Sequence, residues 1–259
     1  RVFRQGRSHS PSQRSECVVK IVCFLAVRND RPYLKNCLSH LISQGVSYFI
    51  VDNESDDGSR ELLGRLEAEA KMRTEGLNEL RVVLQPFNQG KGAAIRSALS
   101  AVSGDVVIIQ DADLEYDPEE IPGLLTYAEE RNLPALYGSR RLKKQKQFMH
   151  YLFFVGGTLL THICNILYRT HLSDQPTCYK MVRGDVLKTL PLKENDFRFD
   201  PEITCMLARN GHEISELPIS YHPRSLEEGK KICWVDWFKW VWVFIKLRLV
   251  PKSKLRKQL

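Results

Sequence analysis

Two closely spaced carboxylates at the end of a predicted buried strand are the residues of this chain best suited to chemistry. Asp111 and Asp113 come just after the apolar run 106–109, whose β-branched residues are typical of a strand covered on both faces. Two carboxylates so close together need a compensating cation if they are buried. Mg²⁺ or Mn²⁺ would supply it and keep coordination positions open for phosphate oxygens. The alternative is a solvated acidic turn leading into a helix at 117–120, which needs no metal.

The elements that must position this pair alternate along the chain. Predicted strands cover residues 18–26, 46–51, 80–84 and 106–109, and predicted helices cover 32–43, a segment after Asp57, and 93–102. This alternation predicts an α/β fold, a Rossmann-like mixed and mainly parallel sheet with helices on both faces. Polar residues follow the first three strands: Asn29, Asp30, Asp52, Asn53 and Asn88. Because such sheets bind ligands beyond the carboxyl ends of their strands, we expect one site there.

Composition and charge narrow the class of partner. The 259 residues are 43% apolar and 27% charged, which is ordinary for a globular protein and enough for one large domain. The net charge of +7 comes from basic clusters at 1–14, 140–146, 230–231 and 246–257, which favour a phosphorylated ligand or an anionic membrane surface. No nucleic-acid-binding signature accompanies them, so no nucleic-acid partner is expected. The seven cysteines are scattered without a C-x-x-C pair, which indicates a reducing, cytosol-facing location.

Two apolar segments in the second half of the chain have a different character. Tyr151–Tyr168 is close to the roughly 20 residues that cross a bilayer, but His162 and Asn165 make it a buried or interfacial helix. Residues 234–250 combine four tryptophans with lysines, which is typical of an amphipathic helix at a membrane interface. The alternative is a C-terminal helix docked on the domain, with a solvated basic face.

Several motifs, taken in order, resemble the family-2 glycosyltransferases with the GT-A fold. They look most like the branch that transfers sugars to polyprenyl phosphates, such as the dolichyl-phosphate mannose synthases, and the resemblance covers about residues 19–250. One segment departs from the pattern: relatives usually show Pro-x-Tyr-Asn-Glu where this chain has AVRND at 26–30, which leaves the base and the sugar open. The matching segments are VDNESDDGS (51–59), FNQGKGAAI (87–95), DADLEYDPEEIP (111–122), YGSR (137–140), LSDQPTCYK (172–180), FDPEIT (199–204) and ELPISYHPRSLEEGKKI (216–232).

The resemblance implies a donor side that binds a nucleotide sugar. Asp30 and Asp52 would contact the nucleoside, although Asp52 could also be a turn or helix-cap acid. Asn88, Gly90 and Lys91 would face phosphate at the start of a helix, where backbone N–H groups point outward. Asp111 and Asp113 would hold Mg²⁺ or Mn²⁺ between the two phosphates, with Glu115 nearby.

The resemblance also implies an acceptor side that binds phosphate. Arg224, Lys230 and Lys231 would reach over the site on a mobile loop, although most such charge runs are solvated loop faces. Arg140 and Lys180 are further acceptor-side candidates. Asp113, Arg224, Lys231 and Asp200 are the expected catalytic residues. The acceptor-side motifs contain Asp174, Thr177, Tyr179, Lys180, Asp200 and Glu202.

The expected reaction is a direct inverting displacement at the anomeric carbon of a nucleotide-diphosphate sugar. A polyprenyl phosphate acceptor arrives ionised and needs no strong general base. A saccharide hydroxyl acceptor would need one, and Asp200 or Asp174 would be the candidates. A non-catalytic nucleotide-sugar binding module is the alternative from another class. A nucleotidyltransferase is disfavoured because its glycine- and arginine-rich loop is missing after the first strand.

These expectations divide the chain into three parts. Residues 1–16 form a disordered basic N-terminus, 17–232 the catalytic domain, and 233–259 an amphipathic interfacial helix with a basic tail. The predicted location is the cytoplasmic face of a membrane, reached peripherally through the two apolar segments.

Overall fold

The computed structural model describes residues 21–43, 47–72, 80–99, 105–143, 151–223 and 234–251. A short 3-10 turn at Pro118–Glu120 leads into the fourth helix. The strands are β1 (Ile21–Val27), β2 (Ser47–Asp52), β3 (Leu80–Leu84), β4 (Val106–Asp111), β5 (Ala135–Ser139), β6 (Lys180–Arg183) and β7 (Ile214–Pro218). The helices are α1 (Arg31–Ser43), α2 (Ser59–Met72), α3 (Lys91–Leu99), α4 (Ile121–Glu130), α5 (Tyr151–Tyr168), α6 (Gly184–Thr189), α7 (Phe199–Arg209) and α8 (Trp234–Leu249).

The described strands form one mixed sheet in the order β3-β2-β1-β4-β6-β5-β7. β6 runs antiparallel to both of its neighbours, and the other pairs are parallel. Asp52 lies opposite Val27 in the pairing of β1 with β2, and Asp111 lies opposite Ala26 in the pairing of β1 with β4. The predicted α/β fold with a mixed, mainly parallel sheet is confirmed, and the ends of β1, β2 and β4 lie side by side.

Both faces of the sheet are covered, because alternate residues of each central strand point to opposite sides. In β1, Phe24 belongs to the core shared with α3, α5, α6, α7 and α8, whereas Leu25 belongs to the core shared with α1, α2 and α4. Each is 1% exposed. Burial of such a side chain stabilises the fold by about 1.5–3 kcal/mol. A sheet covered on both sides exposes its ligand-binding groups at the strand ends.

The C-terminal helix α8 docks on the domain through one side. Trp240 and Phe244 are buried in the core that also holds α5 and α7. The Trp237 indole donates to the Gly156 carbonyl at 3.0 Å, and the Tyr168 hydroxyl donates to the Phe244 carbonyl at 2.7 Å. This side of α8 is therefore docked on the domain, as in the alternative that we considered, and its residues belong to the same core as α5 and α7.

The other side of α8 and one side of α5 expose apolar residues. On each helix most of the exposed apolar residues are three, four or seven positions apart and form one stripe, with Phe153 and Val235 exposed beside the two stripes. We call these two stripes the outer apolar surface. Among the described helices, none has the length and apolar character that crossing a bilayer requires. The surface comprises Leu152, Val155, Leu159 and Ile166 of α5 and Trp234, Phe238, Trp242, Ile245 and Leu249 of α8.

Candidate active site

Backbone strain marks the strand ends at which the polar residues meet. Asn29, Glu54 and Leu114 follow β1, β2 and β4, and their φ angles are 56°, 63° and 58°. A residue other than glycine in this left-handed region costs about 1–3 kcal/mol, and such residues cluster at functional sites. Leu114 is the least expected of the three, because Asn tolerates this region and Leu does not. Three of the five such residues in the described part of the chain fall at these neighbouring strand ends, which favours this edge of the sheet as the site.

Asp52, predicted to contact the nucleoside, is completely buried at the end of β2. One carboxylate oxygen, Oδ2, accepts hydrogen bonds from Arg60 Nε at 2.8 Å and from the Ser55 amide at 3.3 Å. The other oxygen, Oδ1, has no hydrogen-bond partner within the described part of the chain. A buried carboxylate oxygen that lacks a donor can accept an N–H from a ligand. The sequence did not point to Arg60, although its place eight residues after Asp52 could have suggested the pair.

The loop after β2 is tied to the loop after β1. The Asn29 amide group donates to Asp56 at 2.8 Å, and the Arg31 backbone N–H donates to Asp57 at 3.0 Å. Asp57 also accepts from the Ser59 amide at 2.9 Å, just before α2 begins. Asp30, a predicted nucleoside ligand, lies beside this junction and is 7% exposed. The two loops therefore form one rigid wall of the site.

Asn88 links the loop after β3 to the loop after β2. Its side-chain oxygen accepts from Asn53 Nδ2 at 2.6 Å and from the Gly90 amide at 3.0 Å. Its own backbone N–H donates to Glu54 at 3.0 Å. Asn88 thus fixes the turn that enters α3, and its side-chain oxygen is already used within the protein.

Gly90 has a packing role that the sequence did not predict. Its φ is +89°, and a Cβ at this position would lie 2.5 Å from the Asn195 carbonyl oxygen. The same carbonyl accepts a hydrogen bond from the Ala93 amide at 2.9 Å. We predicted that the glycine would open this helix end toward phosphate. Close contact with the chain at Asn195, which covers part of the first turn of α3, also requires glycine at this position, and the phosphate contact stays a prediction.

Lys91, the first residue of α3, lies at the centre of the site. Its Nζ is 3.1 Å from Asp111 Oδ1, 3.3 Å from Cys178 Sγ and 3.6 Å from Asp200 Oδ2. Burial alone would lower the pKa of Lys91, but the charges of Asp111 and Asp200 outweigh it and hold the pKa well above its usual value. The ammonium is therefore charged, and three neighbours surround it. Cys178 is a site residue that sequence reasoning missed.

Asp111 and Asp113 have the oxygen donors that a divalent cation prefers. Asp111 ends β4 with its side chain 23% exposed, and Asp113 Oδ1 accepts from the Glu115 amide at 3.1 Å. The described residues contain no group of three His, Cys, Asp or Glu side chains that could hold a metal. Two carboxylates supply hard oxygen donors and leave other positions for phosphate, which suits Mg²⁺ or Mn²⁺.

The acidic turn that we considered as an alternative is a separate feature. Asp117 accepts a hydrogen bond from the Glu119 amide at 2.9 Å and begins the 3-10 turn that leads into α4. Asp111 belongs to the strand that precedes this turn. Helix capping therefore accounts for Asp117, whereas Asp111 ends β4 and Asp113 forms a turn bond of its own with the Glu115 amide.

Arg140 and Asp174 form a buried, bidentate ion pair on the acceptor side. Arg140 Nε and Nη2 donate to the two Asp174 oxygens at 2.7 and 2.8 Å, and Asp174 is completely buried. Burial alone would raise the pKa of Asp174, but Arg140 holds it below the usual value. The Arg140 guanidinium also lies 5.0 Å from the centre of the Tyr221 ring. Asp174 is consequently an ionised partner of Arg140 with both oxygens in use.

Lys180 lies behind the site, which differs from its predicted role as a phosphate ligand. It is completely buried, donates to the Thr177 carbonyl and approaches Asp200 Oδ1 at 3.6 Å. Burial lowers the pKa of Lys180. The first residue of β6 turns its side chain inward because Asp200 supplies a counter-charge there. This burial argues against direct contact with an acceptor.

The other acceptor-side motif residues shape the site from within the core. Thr177 Oγ1 donates to the Gly138 carbonyl at 2.6 Å, and the Tyr179 hydroxyl donates to Gln110. Glu202 accepts from two backbone amides of the 193–194 segment, each at 2.9 Å. Asp200 is 2% exposed. Arg224, Lys230 and Lys231 lie outside the described residues.

Comparisons with known proteins point to one family. The family model "Glycosyl transferase family 2" matches residues 22–190. The chain is 27% identical over 224 residues to dodecaprenyl-phosphate galacturonate synthase of Rhizobium johnstonii, which covers 84% of this chain and 62% of that protein. It is 37% identical over 192 residues to undecaprenyl-phosphate 4-deoxy-4-formamido-L-arabinose transferase of Salmonella choleraesuis, which covers 73% of this chain and 54% of that protein. The chain thus spans less than two thirds of these relatives.

Solved structures share the fold. Glucosyl-3-phosphoglycerate synthase from Mycobacterium tuberculosis, crystallised with Mn²⁺, uridine diphosphate and phosphoglyceric acid, superposes with a TM-score of 0.62 at 17% identity. The match covers 91% of this chain and 81% of that one. At this identity the likeness establishes the fold, which is the predicted GT-A type.

Proposed function

This chain belongs to glycosyl transferase family 2, and on that premise we propose that it transfers a sugar from a nucleotide-diphosphate sugar to a polyprenyl phosphate. The relatives named above act on dodecaprenyl and undecaprenyl phosphate. A lipid phosphate is a nucleophile that is already ionised, whereas a sugar hydroxyl must lose a proton during the reaction. The two acceptors therefore make different demands on the carboxylates of the site.

The observation that carries the proposal is the state of the two carboxylates that could serve as a base. Asp174 is completely buried, and Arg140 binds both of its oxygens. Asp200 is 2% exposed and lies 3.6 Å from two lysine ammoniums. Arg140 occupies both oxygens of Asp174, and Asp200 lies between two ammoniums, so neither carboxylate is set up to take a proton from a sugar hydroxyl. A phosphate acceptor needs neither of them.

The residues then divide the work of an inverting displacement. The acceptor phosphate oxygen forms a bond to the anomeric carbon while the bond from that carbon to the diphosphate breaks. Asp52 would accept an N–H from the base through Oδ1, and Lys91 would offer its charge to the diphosphate. Asp111 and Asp113 would hold Mg²⁺ or Mn²⁺. When bound, such a cation stabilises the negative charge that develops on the departing diphosphate.

The basic segment that we predicted to reach over the site would complete this scheme. Arg224 and Lys231 would neutralise the departing diphosphate or the acceptor phosphate, with Lys230 beside them. Their assignment rests on the motif alone. Alanine at Arg224 or Lys231 should therefore remove most of the turnover while the unfolding temperature stays unchanged.

The transfer assay tests the proposal directly. Purified protein with Mn²⁺ or Mg²⁺ is offered UDP- and GDP-sugars, with undecaprenyl phosphate or with undecaprenol, and free nucleotide is measured. Release that requires the phosphate of the lipid, and that is lost in Asp113→Ala, is the expected result and identifies the sugar. Release with a saccharide acceptor and none with the lipid phosphate would replace the proposal by the glycan-extending alternative.

A polyprenyl phosphate is held in a membrane, so the enzyme must reach the membrane to use it. The second part of the proposal is therefore peripheral attachment at the cytoplasmic face of a membrane. The outer apolar surface exposes Trp234, Phe238 and Trp242 on one stripe of α8, with Lys239 and Arg248 exposed on the same helix. Tryptophan beside basic residues suits the headgroup region of an anionic bilayer.

A matched pair of variants tests this attachment. Phe238 on α8 and Phe87 in the loop after β3 have the same exposed fraction, 59%. Phe238→Glu should weaken co-flotation with anionic liposomes about tenfold, since it loses apolar contact and adds repulsion, and Phe87→Glu should not. Equal loss in both variants, or no binding by the unmodified protein, would refute attachment through α8.

A further inference from the structure

The ammonium of Lys91 lies against Oδ1 of Asp111, one of the two carboxylates that would bind a metal. Its three N–H donors have three neighbours at 3.1 to 3.6 Å: Asp111 Oδ1, Cys178 Sγ and Asp200 Oδ2. The side chain is 9% exposed. Lys91 is also the first residue of α3, and the positive end of a helix dipole disfavours a cation. The carboxylates therefore hold Lys91 in this position.

A divalent cation on Asp111 would lie next to this ammonium. Metal–oxygen distances of about 2.0–2.2 Å would bring the two charges to within roughly 5 Å of each other. Like charges at that separation in a partly buried site repel strongly. The described residues also offer no group of three metal-ligating side chains. Metal binding to the free protein is thus opposed by Lys91 and supported by few ligands.

We propose that Lys91 is a positioning residue that keeps the divalent metal off Asp111 until a nucleotide diphosphate arrives. The diphosphate provides oxygen ligands for the metal and also a new partner for the ammonium. Lys91 then turns from Asp111 to phosphate, and Asp111 turns to the metal. No covalent bond changes in this exchange. The inference rests on the proposed function only for the nucleotide diphosphate and the metal, and not for the acceptor.

Mn²⁺ binding without turnover tests this inference. The signal of free Mn²⁺ in electron paramagnetic resonance is measured with the protein alone and then with UDP or GDP, after correction for the Mn²⁺–nucleotide complex. The unmodified protein should bind Mn²⁺ about tenfold or more tightly when the nucleotide is present. Lys91→Met should bind Mn²⁺ alone about tenfold more tightly than the unmodified protein does.

Two controls separate this effect from general ones. Lys91→Arg keeps a cation and should bind Mn²⁺ as the unmodified protein does. Lys35→Met removes an exposed charge on α1 and should leave the Mn²⁺ affinity unchanged.

If Lys91→Met does not fold, the double variant Lys91→Met/Asp200→Asn removes the ammonium together with one of its carboxylates. It should bind Mn²⁺ about tenfold more tightly than Asp200→Asn alone.

The Mn²⁺ measurements test the role of Lys91 without testing which acceptor the enzyme uses. Equal Mn²⁺ affinity in the free Lys91→Met and unmodified proteins would overturn it, and so would equal Mn²⁺ affinity with and without nucleotide. The measurement uses neither sugar nor lipid. A failed lipid-phosphate assay would therefore leave the Mn²⁺ result standing, and a negative Mn²⁺ result would leave the acceptor proposal standing.

Discussion

Replacing Asp200 by Asn separates the two acceptor hypotheses, because it removes the charge and keeps the shape of the side chain. The carboxylate lies 3.6 Å from Lys91 Nζ and 3.6 Å from Lys180 Nζ. At an effective dielectric constant near 20, each contact is worth about 4–5 kcal/mol before desolvation. Loss of one member of a buried pair costs about 3–5 kcal/mol in measured cases.

Lys180 limits this loss of stability. Burial already lowers its pKa, so without the carboxylate Lys180 becomes neutral more readily than an ordinary lysine. We therefore expect Asp200→Asn to lower the free energy of unfolding by about 2–4 kcal/mol, at the low side of the range for buried pairs. For a chain of this size that is a decrease of roughly 5–15 °C in Tm. The variant should remain folded at the temperature of the transfer assay.

Activity is the discriminating measurement. With undecaprenyl phosphate as acceptor, turnover of Asp200→Asn should stay within about tenfold of the unmodified protein, whereas loss of a general base costs about 10²–10⁴-fold. Nucleotide release at saturating lipid phosphate gives kcat, and circular dichroism confirms the fold. Asp196→Asn changes a half-buried acid of the same segment, 2.8 Å from Arg198, and is the matched control that should change little. A thousandfold decrease in kcat of a folded Asp200→Asn protein would refute the reasoning.

Two further predictions concern stability. Asp174→Asn should cost about 3–5 kcal/mol at pH 7, because it leaves the Arg140 guanidinium buried without its counter-charge. Since Arg140 holds the pKa of Asp174 below its usual value, the ion pair stabilises the fold above the unfolded-state pKa near about 4, and that contribution disappears as the pH falls through the folded-state pKa. Urea unfolding of both proteins at pH 7 and at a series of pH values below about 4 checks this, and a difference that stays the same throughout the series would contradict it. Gly92→Ala should destabilise by about 1–3 kcal/mol, because its Cβ would lie 2.3 Å from the Glu194 carbonyl oxygen. Gly64→Ala on α2, with nothing within 4 Å, should stabilise by about 0.5–1 kcal/mol, and equal shifts in Tm would refute this account.

The local pattern of apolar and polar residues was sufficient to predict the fold and the place of part of the site. An apolar β-branched run followed by Asp111 identified β4, and the alternation of strands with helices identified a mainly parallel sheet. Parallel strands end on one edge, so the positions of Asp30, Asp52 and Asn88 followed from where their strands stop. These features depend on residues within a few positions of one another, which periodicity describes well.

Contacts between distant segments required the tertiary structure. The sequence suggested phosphate contact for Gly90 and Lys180. The fold places Gly90 against Asn195 and places Lys180 behind Asp200. The sequence likewise did not show which side of α8 is buried, and the structure shows which side packs against α5 and α7. Helical periodicity identifies a stripe, but it does not say which partner covers it.

By itself, the sequence of this chain determined the order of its elements, the family motifs and the strand ends where carboxylates gather. Only the tertiary structure decided that Lys91 lies between Asp111, Cys178 and Asp200, and that Asp174 is held by Arg140. The physical reason is that the charge state and reach of a buried group depend on what surrounds it. Those surroundings come from segments far apart in the chain, which meet only when the sheet has formed and the helices have packed on it.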